Sequence, residues 1–306
     1  GVGDGINPAV VHPRGFVPLL LSRNGRDFFH TGEFFFYFPA PANFSSIYPG
    51  GGPLNDYPSW VPTSVTLTGE GFRAFDGEAS NCRCRWGNDA SEATHVTTPT
   101  VVNTTSMVCD SYSRQTCPVD PETGLPRPFC EVELYISLNS GVDFHATGQQ
   151  YRFYTKPVMV RTGCLGAVKG CLTTGPTIGN NPVKVTGMGF DVFVDYASAR
   201  CRFLYGGGVY FDRIATLVDG EALGADGDAL GTGLKNGSIA EDGRSLYCIT
   251  PTANVDEKIV TQVAIALNGE DFVSAADLST SQYSYYPQTI REIAPIGGTF
   301  DESTSI

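Results

Sequence analysis

The stretch Val263-Ala-Ile-Ala-Leu-Asn-Gly-Glu-Asp-Phe272 repeats a pattern that occurs at two earlier places in the 306-residue chain. Each copy starts with apolar residues at alternate positions, which places them on one face of a β-strand. Each then reaches Asn-Gly or Asn-Ser-Gly, where a tight turn tolerates positive φ. An aromatic-rich return segment follows, so the sequence predicts one hairpin three times. The other copies are Leu19-Leu-Leu-Ser-Arg-Asn-Gly-Arg-Asp-Phe28, before Phe34-Phe-Phe-Tyr-Phe38, and Leu134-Tyr-Ile-Ser-Leu-Asn-Ser-Gly-Val-Asp-Phe144, before Tyr151-Arg-Phe-Tyr154.

A second set of motifs recurs between the hairpins, in the same order each time. Val65-Thr-Leu-Thr-Gly-Glu-Gly-Phe72 precedes Cys84-Arg-Trp86 and Cys109, and Val183-Lys-Val-Thr-Gly-Met-Gly-Phe190 precedes Cys201-Arg-Phe203 and Cys248. Each repeat thus holds about seven short strands in roughly 115 residues, which is the size of an immunoglobulin-like sandwich. With 36 glycines and 20 prolines, the composition also favours short strands and turns.

Together with the openings Ile47-Tyr-Pro-Gly-Gly-Gly52 and Ile293-Ala-Pro-Ile-Gly-Gly298, these motifs resemble the IPT/TIG family. Repeats of this kind occur in plexins, related receptors, and protist and algal surface proteins. The resemblance implies an all-β chain of tandem immunoglobulin-like (IPT/TIG, E-set type) β-sandwiches with disulfides. We expect residues 1–41 to be the C-terminal strands of a preceding repeat, and residues 42–156 to be a complete repeat. Residues 157–287 are expected to be another, with an acidic Gly-rich insertion, and residues 288–306 the first strand of a following one.

Nine cysteines indicate an oxidised protein, because Cys-x-x-Cys spacing is absent and the four histidines are scattered. The resemblance implies two disulfides, Cys84 with Cys109 and Cys201 with Cys248. Two further pairs would close local loops that have little core of their own, Cys117 with Cys130 and Cys164 with Cys171. Cys82 is left over. We expect it to be unpaired, or to form an intermolecular disulfide or a disulfide with another part of a longer parent chain. A rearranged pair with Cys117 or Cys130 is the alternative, because connectivity does not follow from sequence.

Three N-glycosylation sequons begin at Asn43, Asn103 and Asn236. Because these sites receive N-linked glycans only in a secretory compartment, they agree with the disulfides in predicting an extracellular or cell-surface location. The sequence holds no run of 18 apolar residues, so we expect no membrane insertion in this segment.

The net charge of −12 argues against a nucleic-acid partner, since binding phosphates requires clustered lysine and arginine. Carboxylates at Asp219, Glu221, Asp226 and Asp228 are of the type that calcium prefers, but their spacing does not fit an EF-hand. We therefore expect a solvated loop and predict neither a cofactor nor a metal site.

No nucleophile elbow, zinc-protease motif or phosphate-binding loop is present in the sequence, so we expect no enzymatic activity. The resemblance implies a structural or adhesive role in a glycosylated filament, cell-surface coat or flagellar-hair-like assembly. The expected partners are other repeats of the chain and neighbouring subunits. An alternative is the stalk or ligand-binding segment of a plexin-like receptor ectodomain. A lesser alternative is a carbohydrate-binding module that uses exposed aromatic residues, with Phe34–Phe38 as the main cluster.

Overall fold

The structure is a computed structural model and describes residues 14–55, 61–73, 79–87, 95–163, 173–193, 198–205, 210–214, 244–253 and 257–288. These residues form β-strands and two short 3-10 turns, Ala79–Asn81 and Leu278–Ser281. The prediction of an all-β chain is therefore confirmed for the described part. The chain divides into two compact units, one made of Gly1–Gly124 and Cys130–Phe153, the other of Leu125–Phe129 and Tyr154–Ile306.

Eleven strands are described from Gly15 to Tyr154. They are β1 Gly15–Leu21, β2 Phe29–Tyr37, β3 Ala42–Tyr48, β4 Gly51–Pro53, β5 Ser64–Glu70, β6 Arg83–Trp86, β7 Val96–Thr97, β8 Val101–Val102, β9 Ser106–Asp110, β10 Phe129–Ser137 and β11 His145–Tyr154.

The remaining described strands run from Val158 to Tyr286. They are β12 Val158–Thr162, β13 Thr174–Pro176, β14 Pro182–Met188, β15 Arg200–Leu204, β16 Tyr210–Ile214, β17 Ser245–Ile249, β18 Ile259–Ala266, β19 Val273–Ser274 and β20 Gln282–Tyr286.

Two sheets of the first unit share one apolar core. Their strand orders are β3-β5-β9-β8 and β4-β11-β10-β6-β7. Alternation on β5 buries Val65 and Leu67, which join Trp86 of β6 and Ile136 of β10 in the same cluster of buried side chains. Strands β1 and β2 form a separate two-stranded sheet.

The second unit repeats this arrangement. Its sheets have the orders β12-β14-β17 and β13-β20-β18-β15-β16, with β19 beside β18. Val183 and Val185 of β14 pack in one cluster with Phe203 of β15 and Ile265 of β18. Alternating apolar residues on facing sheets thus build this core in the same way as the first one.

The Thr-Gly-x-Gly-Phe motif ends equivalent strands in the two units. In the second unit, a Cβ on Gly187 would overlap the ring of Phe190 and the carbonyl of Val158. The next glycine, Gly189, has a φ of 73°, which disfavours a side chain. The motif therefore lets the chain turn tightly while its phenylalanine, Phe190, enters the core with an exposed fraction of 0%.

Candidate functional site

The three predicted hairpins share one pair of hydrogen bonds across the turn, between an asparagine and the aspartate three or four residues later. In the first, Asn24 Nδ2 donates to Asp27 Oδ2 over 2.6 Å, and Asn24 Oδ1 accepts from the Asp27 N–H over 2.9 Å. Asn268 makes both bonds with Asp271, over 2.6 and 2.9 Å. Asn139 makes the same two bonds with Asp143, donating over 2.8 Å and accepting over 3.0 Å. An asparagine side chain that holds its own turn needs little support from elsewhere in the chain.

The first two hairpins also share a bulge after the turn. Thr31 Oγ1 donates to the Leu19 carbonyl over 2.8 Å, and Thr147 Oγ1 donates to the Leu134 carbonyl over 2.6 Å. A glycine with positive φ follows each threonine, at Gly32 and Gly148. The first hairpin is thus built like the second, apart from a turn that is one residue shorter.

An aromatic pair on the return strand completes the likeness. The rings of Phe35 and Tyr37 lie 4.9 Å apart at an interplanar angle of 63°. Tyr151 with Phe153, and Tyr283 with Tyr285, have the same 4.9 Å separation and an angle of 75°. Edge-to-face geometry of this kind is the favoured arrangement of neighbouring aromatic rings.

Burial separates the first hairpin from the other two. Leu19, Leu21 and Phe35 lie on one face of the hairpin and are 47%, 51% and 59% exposed. The matching residues of the other hairpins are at most 1% exposed. They are Leu134, Ile136 and Tyr151 in one and Val263, Ile265 and Tyr283 in the other. We call Leu19, Leu21 and Phe35 the hairpin face and treat it as the candidate functional site, since large exposed apolar patches mark interaction surfaces.

The other two hairpins show what lies beside such a face. Strand β6 pairs with β10 so that Cys84 stands opposite Ile136. Strand β15 pairs with β18 so that Cys201 stands opposite Ile265. In both units a strand of the sequence Cys-Arg-aromatic therefore lies at the edge of the hairpin.

The arginine of this strand reaches an aromatic ring just after the hairpin turn. The guanidinium carbon of Arg85 lies 4.2 Å from the centre of the Phe144 ring, and that of Arg202 lies 3.7 Å from the Phe272 ring. These distances are within the range of cation–π attraction. Phe28 occupies the equivalent position in the first hairpin and is 61% exposed.

The start of the aromatic run Phe34–Phe38 differs from its expected burial, whereas Phe38 at its end is half-buried against the core of the first unit. Alternation predicts that about half of these side chains enter a core. Phe34 and Phe35 are on opposite faces of β2, yet both are exposed. The reason is that β1 and β2 form a sheet of their own, so that neither face gains a second sheet among the residues that the structure describes.

Three disulfides are described, and each joins cysteines that the sequence analysis paired. Cys84–Cys109 and Cys201–Cys248 connect one sheet of a unit with the other, because β6 is bonded to β9 and β15 to β17. The third closes the loop before β10. It joins Cys117 to Cys130, which leaves neither for a rearranged pair with Cys82. The proposed Cys164–Cys171 pair lies outside the described residues.

Cys82 lies inside the first unit. Its side chain is 2% exposed and belongs to the core cluster that also holds Trp86. A thiol of another chain therefore reaches it only after local opening of this unit, which disfavours the intermolecular disulfide.

Two of the three sequons are described, and both asparagines are exposed. Asn103 lies in the turn between β8 and β9, where its Oδ1 accepts from the Thr105 and Ser106 N–H groups over 2.9 and 2.7 Å. Asn43 lies on β3 and donates to Glu70 Oε2 over 2.9 Å. Asn236 and the acidic stretch with Asp219, Glu221, Asp226 and Asp228 lie outside the described residues.

Within the described ranges, no group of three or more His, Cys, Asp or Glu side chains is placed to hold a metal ion. The same residues include no helix that is long and apolar enough to cross a membrane. A scan of the sequence against protein-family models finds no match, and a search of curated proteins likewise finds none.

A glycine beneath a tyrosine hydroxyl is one feature that the motifs did not predict. A Cβ on Gly52 would overlap Tyr151 Oη, and one on Gly175 would overlap Tyr283 Oη. Burial raises the pKa of Tyr283 from its ordinary value of 10.0 to about 12. The sequence carries a signal for this arrangement, since both glycines precede a proline and both tyrosines begin the same aromatic pair.

Proposed function

We propose that this chain is a structural or adhesive segment of an extracellular assembly, built from tandem immunoglobulin-like sandwiches of the IPT/TIG type. The observation that carries the proposal is internal repetition. The Asn-Asp turn occurs three times, and a sheet-to-sheet disulfide lies at the same place in each unit. Repeated modules of this kind are suited to extended arrays, where each module supplies its own core.

The disulfides support an extracellular setting. Cys84–Cys109 and Cys201–Cys248 have fully buried sulfurs, with 0% exposure at all four residues. Disulfides that form in the core during folding are typical of proteins made in an oxidising compartment. Exposed sequon asparagines at Asn43 and Asn103 fit the same setting, because glycan attachment requires surface access.

Contacts with other subunits are the mode of action that fits this surface best. The described residues carry no metal-binding cluster, whereas large apolar side chains are exposed on the hairpin face. An assembly that works through such contacts buries these side chains against its neighbours. We therefore assign the chain to the structural class.

Peptide mapping of native, non-reduced protein by mass spectrometry tests the extracellular part of the proposal. We expect Cys84 linked to Cys109, Cys201 linked to Cys248, and glycan on Asn43 or Asn103. Reduced cysteines together with bare sequons would contradict it. Sedimentation of the native material tests the assembly, since a filament or coat pellets where a lone receptor stalk stays in solution.

A further inference from the structure

We infer that the first hairpin, β1 with β2, is an acceptor for a β-strand of the Cys-Arg-aromatic type, supplied by a segment that is not already part of a complete sandwich. In both sandwiches of this chain that strand is bonded on both edges, as β10-β6-β7 and as β18-β15-β16, so neither copy is free to be added. This acceptor role deepens the structural function proposed above and rests on it. It names the partner chemistry that the hairpin face recognises.

The first argument is the shared strand order. In both complete sheets, the first strand of the hairpin lies between its return strand and a Cys-Arg-aromatic strand, as β11-β10-β6 and as β20-β18-β15. Strand β1 has β2 on one side only among the described residues. Its other edge offers backbone N–H and C=O groups to an added strand, which is a common mode of strand recognition.

Register defines the contacts of the added strand. Ile136 stands opposite Cys84, Tyr135 opposite Arg85 and Leu134 opposite Trp86. Counted from the turn asparagine, the corresponding residues of β1 are Leu21, Leu20 and Leu19. The incoming cysteine therefore lies opposite Leu21, the arginine opposite Leu20 and the aromatic residue opposite Leu19.

Side-chain chemistry fits the same partner. In the second unit, the sequence Cys201-Arg202-Phe203 buries its cysteine and phenylalanine and places its arginine over the Phe272 ring. On the first hairpin, the two apolar side chains of such a strand would cover Leu19 and Leu21. Its arginine would stack on Phe28, which is 61% exposed.

The acceptor hairpin is held together by its own hydrogen bonds. Its turn is held by the Asn24–Asp27 bonds, and its bulge by the bond from Thr31 to Leu19. Binding therefore orders few residues of the hairpin, which lowers the entropic cost of adding the strand.

A labelled peptide with the sequence of Ala199–Leu204, its cysteine replaced by serine, tests the inference against the full chain by fluorescence anisotropy. We expect saturable binding that Leu21→Asp weakens by about tenfold or more, because a buried leucine contributes free energy of that order. Val142→Asp is the matched control, since Val142 is 78% exposed beside another hairpin turn. Absence of saturable binding, or equal binding by the Leu21→Asp chain, would overturn the inference.

The arginine contact has its own test. Replacing the peptide arginine by alanine, or Phe28 by alanine in the chain, should each weaken binding by about threefold, as expected for a partly exposed cation–π pair. Both changes together should weaken it no further than either alone. Effects that multiply would show that the arginine does not stack on Phe28.

Disulfide trapping tests the register. With the cysteine-containing peptide, Leu21→Cys should crosslink and Leu20→Cys should not, because neighbouring positions of a strand point to opposite faces. The wild-type chain is the control, since any peptide crosslinked to it has reacted with a native cysteine. Equal trapping at both positions contradicts the proposed register.

If the chain alone forms a dimer that Leu21→Asp dissociates, a second copy covers the face, and the inference is wrong. Glycan mapping does not involve the hairpin, so failure here is distinguishable from failure of the proposed function.

Discussion

Replacing Gly175 by alanine should destabilise the second unit, because the added methyl group would clash with the hydroxyl oxygen of Tyr283. Gly175 lies on β13, directly opposite Tyr285 in the parallel pairing with β20. An added Cβ would overlap Tyr283 Oη and would lie 3.2 Å from Tyr283 Cζ. The Tyr283 ring cannot move away easily, because it is 1% exposed and packs edge-to-face on Tyr285 at 4.9 Å.

The size of the effect follows from overpacking. Inserting a methyl group into a well-packed core costs about 1–3 kcal/mol. The buried Tyr283 hydroxyl interacts with the Thr250 side chain, and one such neutral hydrogen bond contributes about 1 kcal/mol, so Tyr283→Phe alone should change the free energy of unfolding by no more than about 1 kcal/mol. The double variant Gly175→Ala with Tyr283→Phe should recover most of the loss. A contact of 3.1 Å to Asn181 Nδ2 remains and limits the recovery.

The first unit provides the matched control. A Cβ on Gly52 would overlap Thr63 Oγ1 as well as Tyr151 Oη. Removing the Tyr151 hydroxyl therefore leaves a clash, and Tyr151→Phe should not rescue Gly52→Ala. Urea denaturation followed by hydrogen exchange and mass spectrometry reports the two units separately. Wild-type stability of Gly175→Ala, or a double variant no more stable than this single one, would refute the reasoning.

Three further outcomes are expected. The second unit should lose stability as pH rises from about 10 to 12, because the unfolded chain releases the Tyr283 proton near pH 10 and the folded chain holds it until its pKa of about 12; unfolding midpoints along this range should decline less in Tyr283→Phe. Replacing Cys84 and Cys109 together by alanine should cost about 3–4 kcal/mol, since their bond closes a 25-residue segment; calorimetry of the first unit checks this. Gly179→Ala should lower the free energy of unfolding by more than about 1 kcal/mol, because its φ is 74° and a Cβ would overlap the Pro251 carbonyl. Gly124 has a similar φ of 69° with open space around it, so Gly124→Ala should be destabilised only by backbone strain and by less than Gly179→Ala.

Local signals in the sequence were sufficient to predict the strands and turns. Alternating apolar residues around Ile136 and Ile265, followed by an asparagine turn, specify a hairpin without knowledge of the rest of the chain. The disulfides of the two Cys-Arg-aromatic motifs were predicted from the resemblance to the IPT/TIG family, in which the motifs occur in the same order in each repeat. Local patterns set these features, and the structure contains them.

The exposure of the hairpin face could not be predicted in this way. Leu21 and Ile136 lie in nearly the same local sequence, yet one is exposed and the other is buried. The difference depends on whether a second sheet lies over the hairpin, which is a long-range property. The role of Arg85 and Arg202 was missed for the same reason, since their aromatic partners, Phe144 and Phe272, are about 60–70 residues away along the chain.

The sheet-to-sheet disulfides set how far this chain can lengthen under tension. Cys84 and Cys109 are 25 positions apart, and Cys201 and Cys248 are 47 positions apart. When the chain is pulled, the disulfide carries the tension between its two cysteines, so the residues between them are not extended. At about 3.4 Å per extended residue, these loops withhold roughly 85 Å and 160 Å of contour length. An assembly of such modules therefore resists overstretching even after its sheets separate. Reducing the disulfides would let the residues between the cysteines extend as well.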